Sequence, residues 1–370
     1  MDLRRLSGSK ISVERVKILD MKTVKLGEIE VGPGRPPYII AEVGSNHNGD
    51  MNLCRELIDA AAAAGAHAVK FQSWTDTSLI AEEEYARNTE YSDKKKHFGS
   101  LREMVSAYQL TSAQHHEAHG YCKAKGIAFC STPFSKVEVD LLESLDVPFF
   151  KIASMDVTHL PLLRYVARKQ RPILISTGMA TLGEIEQAVD TIRSERNDQI
   201  VLLHCVSIYP PEYETIHLNN METLSRSFDV PVGFSDHTLG TAIPLAAIAI
   251  GACVIEKHFT LDQEMAGWDH AISANPDQLR TIVEEGKNIF AALGSGRRIV
   301  SSEEIEKRKK FRRSLVVRRK LSEGHLLTEE DLDAKRPGTG IAPNEIAYVL
   351  GRRLISDLDA DAVLHWKHLQ

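Results

Sequence analysis

Short apolar runs alternate with amphipathic helix-type patterns from residue 38 onward. The apolar runs lie at 38–43, 67–72, 127–132, 148–152, 172–176, 200–206, 230–234 and 252–258. Helix-type patterns separate most of them, at 51–64, 111–125, 135–145, 181–194 and 240–250. Near-continuous apolar runs are typical of parallel strands that are buried on both faces. The pattern therefore predicts an α/β fold, a (β/α)₈ TIM barrel over residues 38–300.

The segments outside this pattern predict three further features. Residues 1–37 are polar and end in the turn sequence GPGRPP, which predicts an N-terminal extension with a hairpin lid. The polar insert at 73–100 predicts a surface loop near the active face, which is the end of the barrel where the strands have their carboxyl ends. Acidic residues precede the basic run of 301–313, and this favours a solvated linker over a nucleic-acid-binding patch. An extended linker would advance ~3.3 Å per residue. Residues 314–370 predict a small, mostly β domain that leans on the barrel or on another subunit.

The composition is that of an ordinary soluble globular chain, with 43% hydrophobic and 26% charged residues among 370. A net charge of −6 gives no reason to expect nucleic acid as a partner. We expect no membrane span and no secretory signal, because no apolar run reaches ~18 residues and MDLRRLSGSK lacks an apolar stretch. Five scattered cysteines without CxxC spacing predict reduced thiols in a cytoplasmic protein.

If the barrel is correct, the carboxyl end of each strand contributes side chains to the active face. Those ends are rich in ionisable groups and hydroxyls: Glu42, Lys70, Gln72, Ser131, Thr132, Lys151, Ser154, Ser176, Thr177, His204, Ser207, Tyr209, Ser235, Asp236, His237, Glu256 and His258. Ammonium groups and hydroxyls are suited to holding a phosphate and a carboxylate. The alternatives are that single hydroxyls cap helices, or that one lysine forms a Schiff base as in a class I aldolase.

Two histidines, His237 and His258, end neighbouring apolar runs on either side of one helix-length segment. They predict a shared divalent metal of the borderline type that accepts imidazole, carboxylate and water. The alternative is that each histidine only caps its strand end with a hydrogen bond. Together with the isolated carboxylate Glu42, the pair suits a small phosphorylated anion that reacts beside a metal-polarised carbonyl.

The order of the motifs resembles that of the sialic acid synthase family, whose members condense phosphoenolpyruvate with an N-acylated hexosamine such as N-acetylmannosamine. The matching stretches are IIAEVGSNHNGD (39–50), AHAVKFQ (66–72), FCSTPF (129–134), KIAS (151–154), ILISTGM (173–179), LLHCVSIYP (202–210), GFSDHT (233–238) and EKHFT (256–260). The segment AKRPGTGI (334–341) is similar to the core of the antifreeze-like (SAF) domain of these enzymes. The resemblance spans roughly 38–370 and implies a transferase that makes a nine-carbon 2-keto-3-deoxy acid and phosphate.

The resemblance also implies roles for single residues. Glu42 is similar to the acid/base near the reacting aldehyde, and His237 and His258 match the ligands of a divalent metal, Mn²⁺ first, with Mg²⁺ or Co²⁺ as alternatives. Phosphoenolpyruvate is expected to bind Lys70, Thr132, Lys151, Ser154, Ser176, Ser207 and Ser235. The acceptor sugar is expected near Gln72, Tyr209, Asp269 and Arg336. Arg336 resembles an arginine that one subunit inserts into its partner's active site, which implies a domain-swapped homodimer.

The sequence departs from the family around Asp269, where it reads MAGWDHAIS (265–273) and several members have a Gly-Pro-Asp turn. Trp268 is bulky and amphipathic, and is expected to reshape the sugar pocket. The acceptor therefore stays open between N-acetylmannosamine and a 2,4-diacetamido sugar, and the product between Neu5Ac, a legionaminic- or pseudaminic-type acid and a non-aminated analogue. Two rival functions are a related synthase that uses a sugar phosphate, and a polysaccharide- or ice-binding protein without catalysis.

Overall fold

The apolar runs form the predicted strands in the computed structural model, which describes residues 22–92 and 97–370. The strands are β1 (Val24–Leu26), β2 (Ile29–Val31), β3 (Tyr38–Gly44), β4 (Ala68–Ser73), β5 (Tyr91–Ser92), β6 (His97–Gly99), β7 (Ala128–Pro133), β8 (Phe150–Ile152), β9 (Ile173–Ser176), β10 (Ile200–Cys205), β11 (Val232–Asp236), β12 (Val254–His258), β13 (Ser314–Val317) and β14 (Leu332–Lys335). Eight of them, β3, β4 and β7 to β12, coincide with the eight apolar runs to within two residues at each end.

The helices occupy the segments that showed helix-type patterns, and others that did not. They are α1 (Met51–Ala63), α2 (Glu82–Arg87), α3 (Leu101–Tyr108), α4 (Ser112–Lys125), α5 (Lys136–Ser144), α6 (Leu160–Ala167), α7 (Leu182–Ser194), α8 (Asn220–Phe228), α9 (Ala242–Ala249), α10 (Pro276–Leu293) and α11 (Ser302–Phe311). Polar caps fix several starts: the side chains of Thr111, Thr181 and Asn275 accept hydrogen bonds from backbone N–H groups three residues on. Such caps satisfy donors that a helix leaves unpaired.

The eight strands form one parallel sheet in the order β7-β4-β3-β12-β11-β10-β9-β8. The two outer strands of this order, β7 and β8, also lie against each other, so that the sheet curls into a nearly closed barrel. Strands that follow one another in sequence are neighbours in the sheet and are joined by helices, as right-handed β/α units require. The predicted (β/α)₈ fold is confirmed.

Residues alternate between the two faces of each barrel strand. In β3, Ile39 and Val43 pack outward in the large core between the sheet and the helices, whereas Tyr38 and Ile40 belong to a separate inner cluster. The next inward position is Glu42, which is 1% exposed. The inside of the barrel is therefore apolar at the amino ends of the strands and charged at the carboxyl ends.

The hairpin of β1 and β2 closes the amino-terminal end of the barrel. Its residues Val24, Leu26 and Val31 are buried in the same inner cluster as Tyr38 and Val254. The predicted hairpin is present, and it covers the amino-terminal end because three apolar side chains gain more by covering the apolar end of the barrel than the charged one. Residues 1–21 of the predicted extension lie outside the described residues.

The insert after β4 builds a small core of its own beside the carboxyl end of the barrel. Trp74, Tyr85, Met104, Val105 and Tyr108 are buried in it. Trp74 donates a hydrogen bond of 3.3 Å from its indole nitrogen to the carbonyl of Val105 in α3. The insert thus starts at the active face, as predicted, whereas the lysine-rich residues 93–96 lie outside the described residues.

The chain divides into two compact units between Gly294 and Ser295. In the second unit, β13 pairs with β14 in antiparallel fashion, and isolated bridges tie further segments to them around a core that includes Leu315, Val317 and Leu364. The predicted extended linker at 301–313 is wrong in conformation. Residues Ser302–Phe311 form helix α11, which has no buried residue and starts at the Ser301 cap, and a helix advances only ~1.5 Å per residue.

Candidate active site

Inward positions at the carboxyl ends of the strands carry most of the predicted site residues. These side chains are polar and nearly all buried: Glu42, Lys70, Gln72, Thr132, Lys151, Ser176, Ser235, His237, Glu256 and His258. Their spacing of two residues along each strand, as in Lys70 and Gln72 or Glu256 and His258, directs them to one face of the sheet. The fold therefore brings the predicted catalytic, phosphate-binding and metal-binding groups into one chamber.

Two lysines and two glutamates form a buried charge network at the centre of this chamber. Lys70 Nζ lies 2.8 Å from Glu42 Oε2 and 3.7 Å from Glu256 Oε1. Lys151 Nζ lies 3.6 Å from the same Glu256 oxygen. Thr132 accepts a hydrogen bond of 3.1 Å from Lys70. Glu256 thus bridges the two ammonium groups that we expect to hold an anion.

The network drives the pKa values of its two carboxyl groups apart. Burial raises the pKa of Glu42 to about 7, although the ammonium group of Lys70 acts in the opposite direction. Burial acts on Glu256 in the same sense, but Lys151 and Lys70 outweigh it and hold the pKa of Glu256 below its ordinary value. Glu256 is then a fixed charge, whereas Glu42 changes protonation state near neutral pH and can carry a proton.

The same carboxylates act on the two lysines. Burial on its own would lower the pKa of Lys70, but Glu256 and Glu42 more than compensate and raise it. For Lys151 burial prevails, and its pKa is lowered despite the attraction of Glu256. A lysine held charged by two carboxylates is poorly suited to forming a Schiff base, which needs the neutral amine. The geometry therefore favours anion binding by Lys70.

Hydroxyl groups converge around the turn after β9. The backbone N–H of Gly178 donates a hydrogen bond of 3.0 Å to Ser154 Oγ. A Cβ atom at position 178 would lie only 2.3 Å from Ser207 Oγ and 2.9 Å from Ser154 Oγ, so a larger residue there would displace the two hydroxyls. Ser176 Oγ is buried and has no hydrogen-bond partner within residues 22–92 and 97–370. These three hydroxyls are suited to an anionic ligand that supplies the missing acceptors.

The two histidines lie side by side, with ring centroids 5.3 Å apart. His237 Nδ1 donates to the carbonyl of Val206 at 2.8 Å, which leaves Nε2 for a ligand. His258 Nδ1 is buried 3.7 Å from the Asp269 carboxylate, and it lacks a hydrogen-bond partner in the described part of the chain. No group of three His, Cys, Asp or Glu side chains suits a metal in that same part. The pair fits a metal held by two imidazoles and completed by water or substrate.

The residues predicted to contact the acceptor surround this pair on the side of the solvent. Tyr209 is half exposed and its ring lies 4.0 Å from that of His237. Gln72 donates a hydrogen bond of 2.8 Å to Glu42 Oε1. Asp269 adjoins His258, as described above. Arg336 lies in the second unit, and its role at the acceptor stays a prediction.

Four strand-end residues do not enter the chamber. Asp236 accepts a hydrogen bond of 2.7 Å from Lys257, a buried pair on the outward face of its strands. His204 contacts the carbonyl of Ile216 at 2.6 Å. Two hydroxyls also serve the fold: Ser131 contacts Ser73, and Thr177 donates to the backbone of β10. Conversely, Glu256 was among the strand-end residues, but no role was predicted for it from the sequence. Its position two residues before His258 indicates that its side chain faces inward, and this could have identified it as a site residue.

A TIM barrel whose carboxyl face holds two lysines, converging hydroxyls and a histidine pair has the features of an enzyme whose site is suited to a small anion. The chain belongs to the NeuB family. The model of that family matches residues 57–298, and the model of the SAF domain matches residues 312–370. The predictions of a sialic acid synthase-like chain and of a C-terminal antifreeze-like domain are confirmed.

Known proteins resemble the chain over most of its length. It is 41% identical to N,N'-diacetyllegionaminic acid synthase of Legionella pneumophila, over 90% of this chain and 94% of that protein. It is 32% identical to human N-acetylneuraminate-9-phosphate synthase, over 90% of this chain and 94% of the human one. The solved N-acetylneuraminic acid synthetase of Leptospira borgpetersenii, in complex with citrate, superposes with a TM-score of 0.70 at 34% identity. That superposition covers 78% of this chain and 95% of that one.

Within the described residues, no helix combines the length and apolar character that crossing a membrane requires.

All five cysteines are buried and free. The thiols therefore occupy core positions, as their scattered spacing predicted.

Proposed function

We propose that the chain condenses phosphoenolpyruvate with an N-acylated hexosamine and water, giving a nine-carbon 2-keto-3-deoxy acid and inorganic phosphate. The observation that carries the proposal is the buried network of Lys70, Lys151, Glu256 and Glu42 beside the histidine pair. It offers two cations for an anion, a fixed anion between them and one group that exchanges protons near neutral pH. The names of the relatives point to the same class of product.

Phosphoenolpyruvate would lie against the lysines and the hydroxyl cluster. Its negative charge makes up for the desolvation that the buried ammonium groups of Lys70 and Lys151 undergo. Ser154, Ser176 and Ser207 would donate to its phosphate oxygens, and Thr132 and Ser235 complete the set at the ends of β7 and β11.

His237 and His258 would hold a divalent metal, Mn²⁺ in our proposal, on the acceptor's side of the chamber. When bound, such an ion polarises the aldehyde oxygen of the open-chain sugar as a Lewis acid. The residues fix the rest of the geometry: Val206 orients the His237 ring, and Asp269 lies beside His258. Tyr209, whose ring is tilted by 34° against that of His237, would cover the pair from the solvent.

The reaction then balances with the groups of this chain. C3 of phosphoenolpyruvate attacks the aldehyde carbon, and the aldehyde oxygen becomes an alkoxide. Water adds to the positively charged C2; one of its protons passes to the Glu42 carboxylate, at the carboxyl end of β3, and from there to the alkoxide. The C2–O bond to phosphate then breaks, the keto group forms, and the second proton of the water leaves with the phosphate. Gln72 holds Glu42 in place by donating to Oε1.

Phosphate release tests this function directly. We expect the enzyme to release phosphate from phosphoenolpyruvate only when an acylated amino sugar and Mn²⁺ are both present. The acceptors to compare are N-acetylmannosamine, a 2,4-diacetamido hexose, N-acetylmannosamine 6-phosphate and arabinose 5-phosphate, with mass spectrometry of the products. Release with arabinose 5-phosphate alone would identify the sugar phosphate rival, and no release with any acceptor would refute the proposal.

We further propose that the enzyme works as a homodimer in which Arg336 completes the active site of the partner subunit. Arg336 is exposed on a braced loop. The Ser314 hydroxyl donates to the carbonyl of Pro337 at 2.6 Å, and the N–H of Gly338 donates to the carbonyl of Lys309 at 2.9 Å. A guanidinium on such a support is presented rather than buried. The free thiols agree with a cytoplasmic location, which we also propose.

Complementation tests the shared site. Arg336→Ala is expected to lose acceptor binding, and Glu42→Gln is expected to lose turnover. In a swapped heterodimer of the two, one site carries both lesions and the other carries neither. Subunit exchange should therefore restore up to about half of the wild-type activity per heterodimer, provided that the sites act independently. If native mass spectrometry shows heterodimers and no activity returns, Arg336 does not act in the partner's site.

A further inference from the structure

Helix α11 and the residues just before it enclose a basic cleft that the proposed reaction does not use. The cleft has a volume of about 420 Å³ and lies entirely within the second unit. Six of the side chains that line it are those of Arg298, Glu304, Lys307, Arg308, Phe311 and Arg312. Four of these six are cationic and one is anionic. Sites for small molecules usually measure ~300–1,000 Å³, so the cleft is large enough for a small anionic ligand.

The two sides of α11 differ in how their charges are paired. The cleft residues of the helix follow one another at intervals of three or four positions, or directly, from Glu304 to Phe311, and therefore share one side. Glu306 and Lys309 lie on the opposite side and form an ion pair with an N–O distance of 2.8 Å. Residues 297–313 contain eight basic and three acidic residues. The cleft side is therefore left with a surplus of positive charge.

Lys307, Arg308 and Arg312 form no ion pair in the part of the chain that the structure describes. The fourth cation, Arg298, is paired with Glu304 at 3.5 Å. Arg308 and Arg312 are four positions apart, a spacing at which like charges destabilise a helix. The helix dipole accounts for cations in the last turn of α11, but Arg298 and Arg312 reach the cleft from outside the helix. An anion in the cleft would supply the missing partners.

The number and type of these cations indicate the class of anion. Guanidinium groups bind phosphate oxygens with two parallel hydrogen bonds, and an ammonium group adds a mobile point charge. A single carboxylate or phosphate group would leave most of the unpaired cations without a partner. A triphosphate group offers a chain of ionised phosphates, which can contact Lys307, Arg308 and Arg312 at the same time. The cleft is therefore suited to a triphosphate better than to a singly charged ligand.

The cleft adjoins the loop that carries Arg336. The guanidinium carbon of Arg336 lies 5.2 Å from the centre of the Phe311 ring, and Phe311 lines the cleft. A Cβ atom at Gly338, two residues further along that loop, would lie 2.6 Å from the carbonyl oxygen of Arg308 and 2.7 Å from Cβ of Arg312. The loop thus packs directly on two cleft residues. Salt screens charges only in part over such a range, since the Debye length is ~8 Å in physiological salt.

We propose that this cleft binds a triphosphate-bearing anion, and that the bound anion holds Arg336 back from the partner subunit; the second half rests on the role of Arg336 proposed above. The negative charge of the anion stabilises the guanidinium of Arg336 in its place over the Phe311 ring. A nucleoside triphosphate and inorganic polyphosphate share the chemistry that the cleft recognises. Helix α11 then forms an effector site on the segment that joins the barrel to the second domain.

Isothermal titration of the full-length protein tests the binding. Inorganic tripolyphosphate and ATP are titrated separately in metal-free buffer with saturating phosphoenolpyruvate, which keeps them from the lysines of the chamber. We expect one site per chain, and an affinity that falls as salt is added, because exposed charges are screened. Tighter binding of ATP would identify a nucleotide as the ligand, and equal binding would identify the triphosphate chain alone.

A matched pair of variants locates the site. The triple variant Lys307→Gln, Arg308→Gln and Arg312→Gln should weaken binding by about thirtyfold or more, because each exposed ion pair contributes up to about fivefold and the contributions roughly add. Lys309→Gln makes the same kind of charge change on the opposite side of α11 and should bind as the wild type does. No binding, or binding that the triple variant keeps, would overturn the proposal. Tighter binding of a single-stranded oligonucleotide than of ATP would also overturn it, in favour of a nucleic-acid surface.

Phosphate release tests the effect on Arg336. Triphosphates chelate Mn²⁺, so free Mn²⁺ is held constant and the triple variant serves as the reference for chelation. ATP should raise the KM for the acceptor sugar by about fivefold or more in the wild type and in Lys309→Gln. It should leave the KM of the triple variant unchanged, and that variant should have normal activity without ATP. Binding without this change in KM would overturn the effect on Arg336. If no acceptor supports phosphate release, the proposed function fails, while the titration still decides whether the cleft binds a triphosphate.

Discussion

Replacing Glu42 with Gln is expected to lower kcat by roughly 10²–10⁴, with a modest change in the KM for phosphoenolpyruvate. The amide keeps the shape of the side chain and accepts a hydrogen bond from Gln72, but it cannot take the proton of the attacking water. It also leaves the ammonium group of Lys70 with Glu256 as its remaining carboxylate in the network. Single-turnover measurements of phosphate release isolate the chemical step from product release.

The pH dependence gives a second measurement on the same residue. Burial raises the pKa of Glu42 to about 7. The carboxylate form, which accepts the proton, predominates above that value, so that kcat/KM of the wild type should rise as pH increases through about 7 and level off above it. In Glu42→Gln this rising limb should disappear. Glu30→Gln, in the hairpin at the opposite end of the barrel, serves as the control, and a near-normal kcat in Glu42→Gln would place the proton transfer elsewhere.

Removing either histidine is expected to abolish turnover. A Lewis acid contributes several kcal/mol to such a reaction, which corresponds to about 10³-fold or more in rate. His237→Ala and His258→Ala should therefore lose at least that factor while they keep the circular dichroism spectrum and melting temperature within a few degrees. Treatment with EDTA should inactivate the wild type reversibly, with recovery on addition of Mn²⁺.

Metal binding can be measured apart from activity. Isothermal titration with Mn²⁺ should give one site per chain in the wild type and a markedly weaker one in either variant. His116→Ala, an exposed position on α4, should bind as the wild type does. Full activity in enzyme stripped of metal to below one-hundredth of an equivalent would rule out the proposed ion and leave the histidines with a purely structural role.

The barrel was predictable because each of its strands is buried on both faces. Such strands read as plain apolar runs, and the strand ends then follow from where each run meets its first polar residue. The assignment to a family rested on eight motifs in order. For these reasons the sequence led directly to Glu42, Lys70, Lys151 and both histidines, and the structure brings these five side chains together.

The run of residues does not by itself distinguish the two faces of a strand. Asp236 and Glu256 both stand near strand ends, but Asp236 faces outward to Lys257 while Glu256 faces inward to the lysines of the chamber. The period of two along a strand determines which face a side chain points to. Glu256 lies two residues before His258 and therefore points to the same face, whereas Asp236 is adjacent to His237 and points to the opposite face. Counting from the histidines would have identified Glu256 as the bridge.

Segments outside the barrel were harder to predict, because their conformation depends on distant partners. The hairpin has three apolar residues, and the rest of the fold determines which surface they pack against. Residues 302–311 carry few apolar side chains, yet they form helix α11. The Ser301 cap, acidic residues in the first turn and basic residues in the last turn stabilise it, because these charges oppose those of the helix dipole. The hydrogen bonds of Asn46 and Asn48 to the loop of residues 259–273 join positions more than 200 residues apart, and no local pattern predicts them.

The hairpin that seals the amino end of the barrel has a consequence for the order of kinetic events. Val24, Leu26 and Val31 fill that end, so that within the described residues the chamber opens toward the carboxyl face. The lysines for phosphoenolpyruvate are only 2% exposed, whereas Tyr209 and Trp268 near the entrance are 50% and 36% exposed. A sugar that arrived first would therefore block the way to the lysines. For the proposed function we therefore expect an ordered kinetic mechanism, in which phosphoenolpyruvate binds before the sugar and the nine-carbon acid leaves before phosphate.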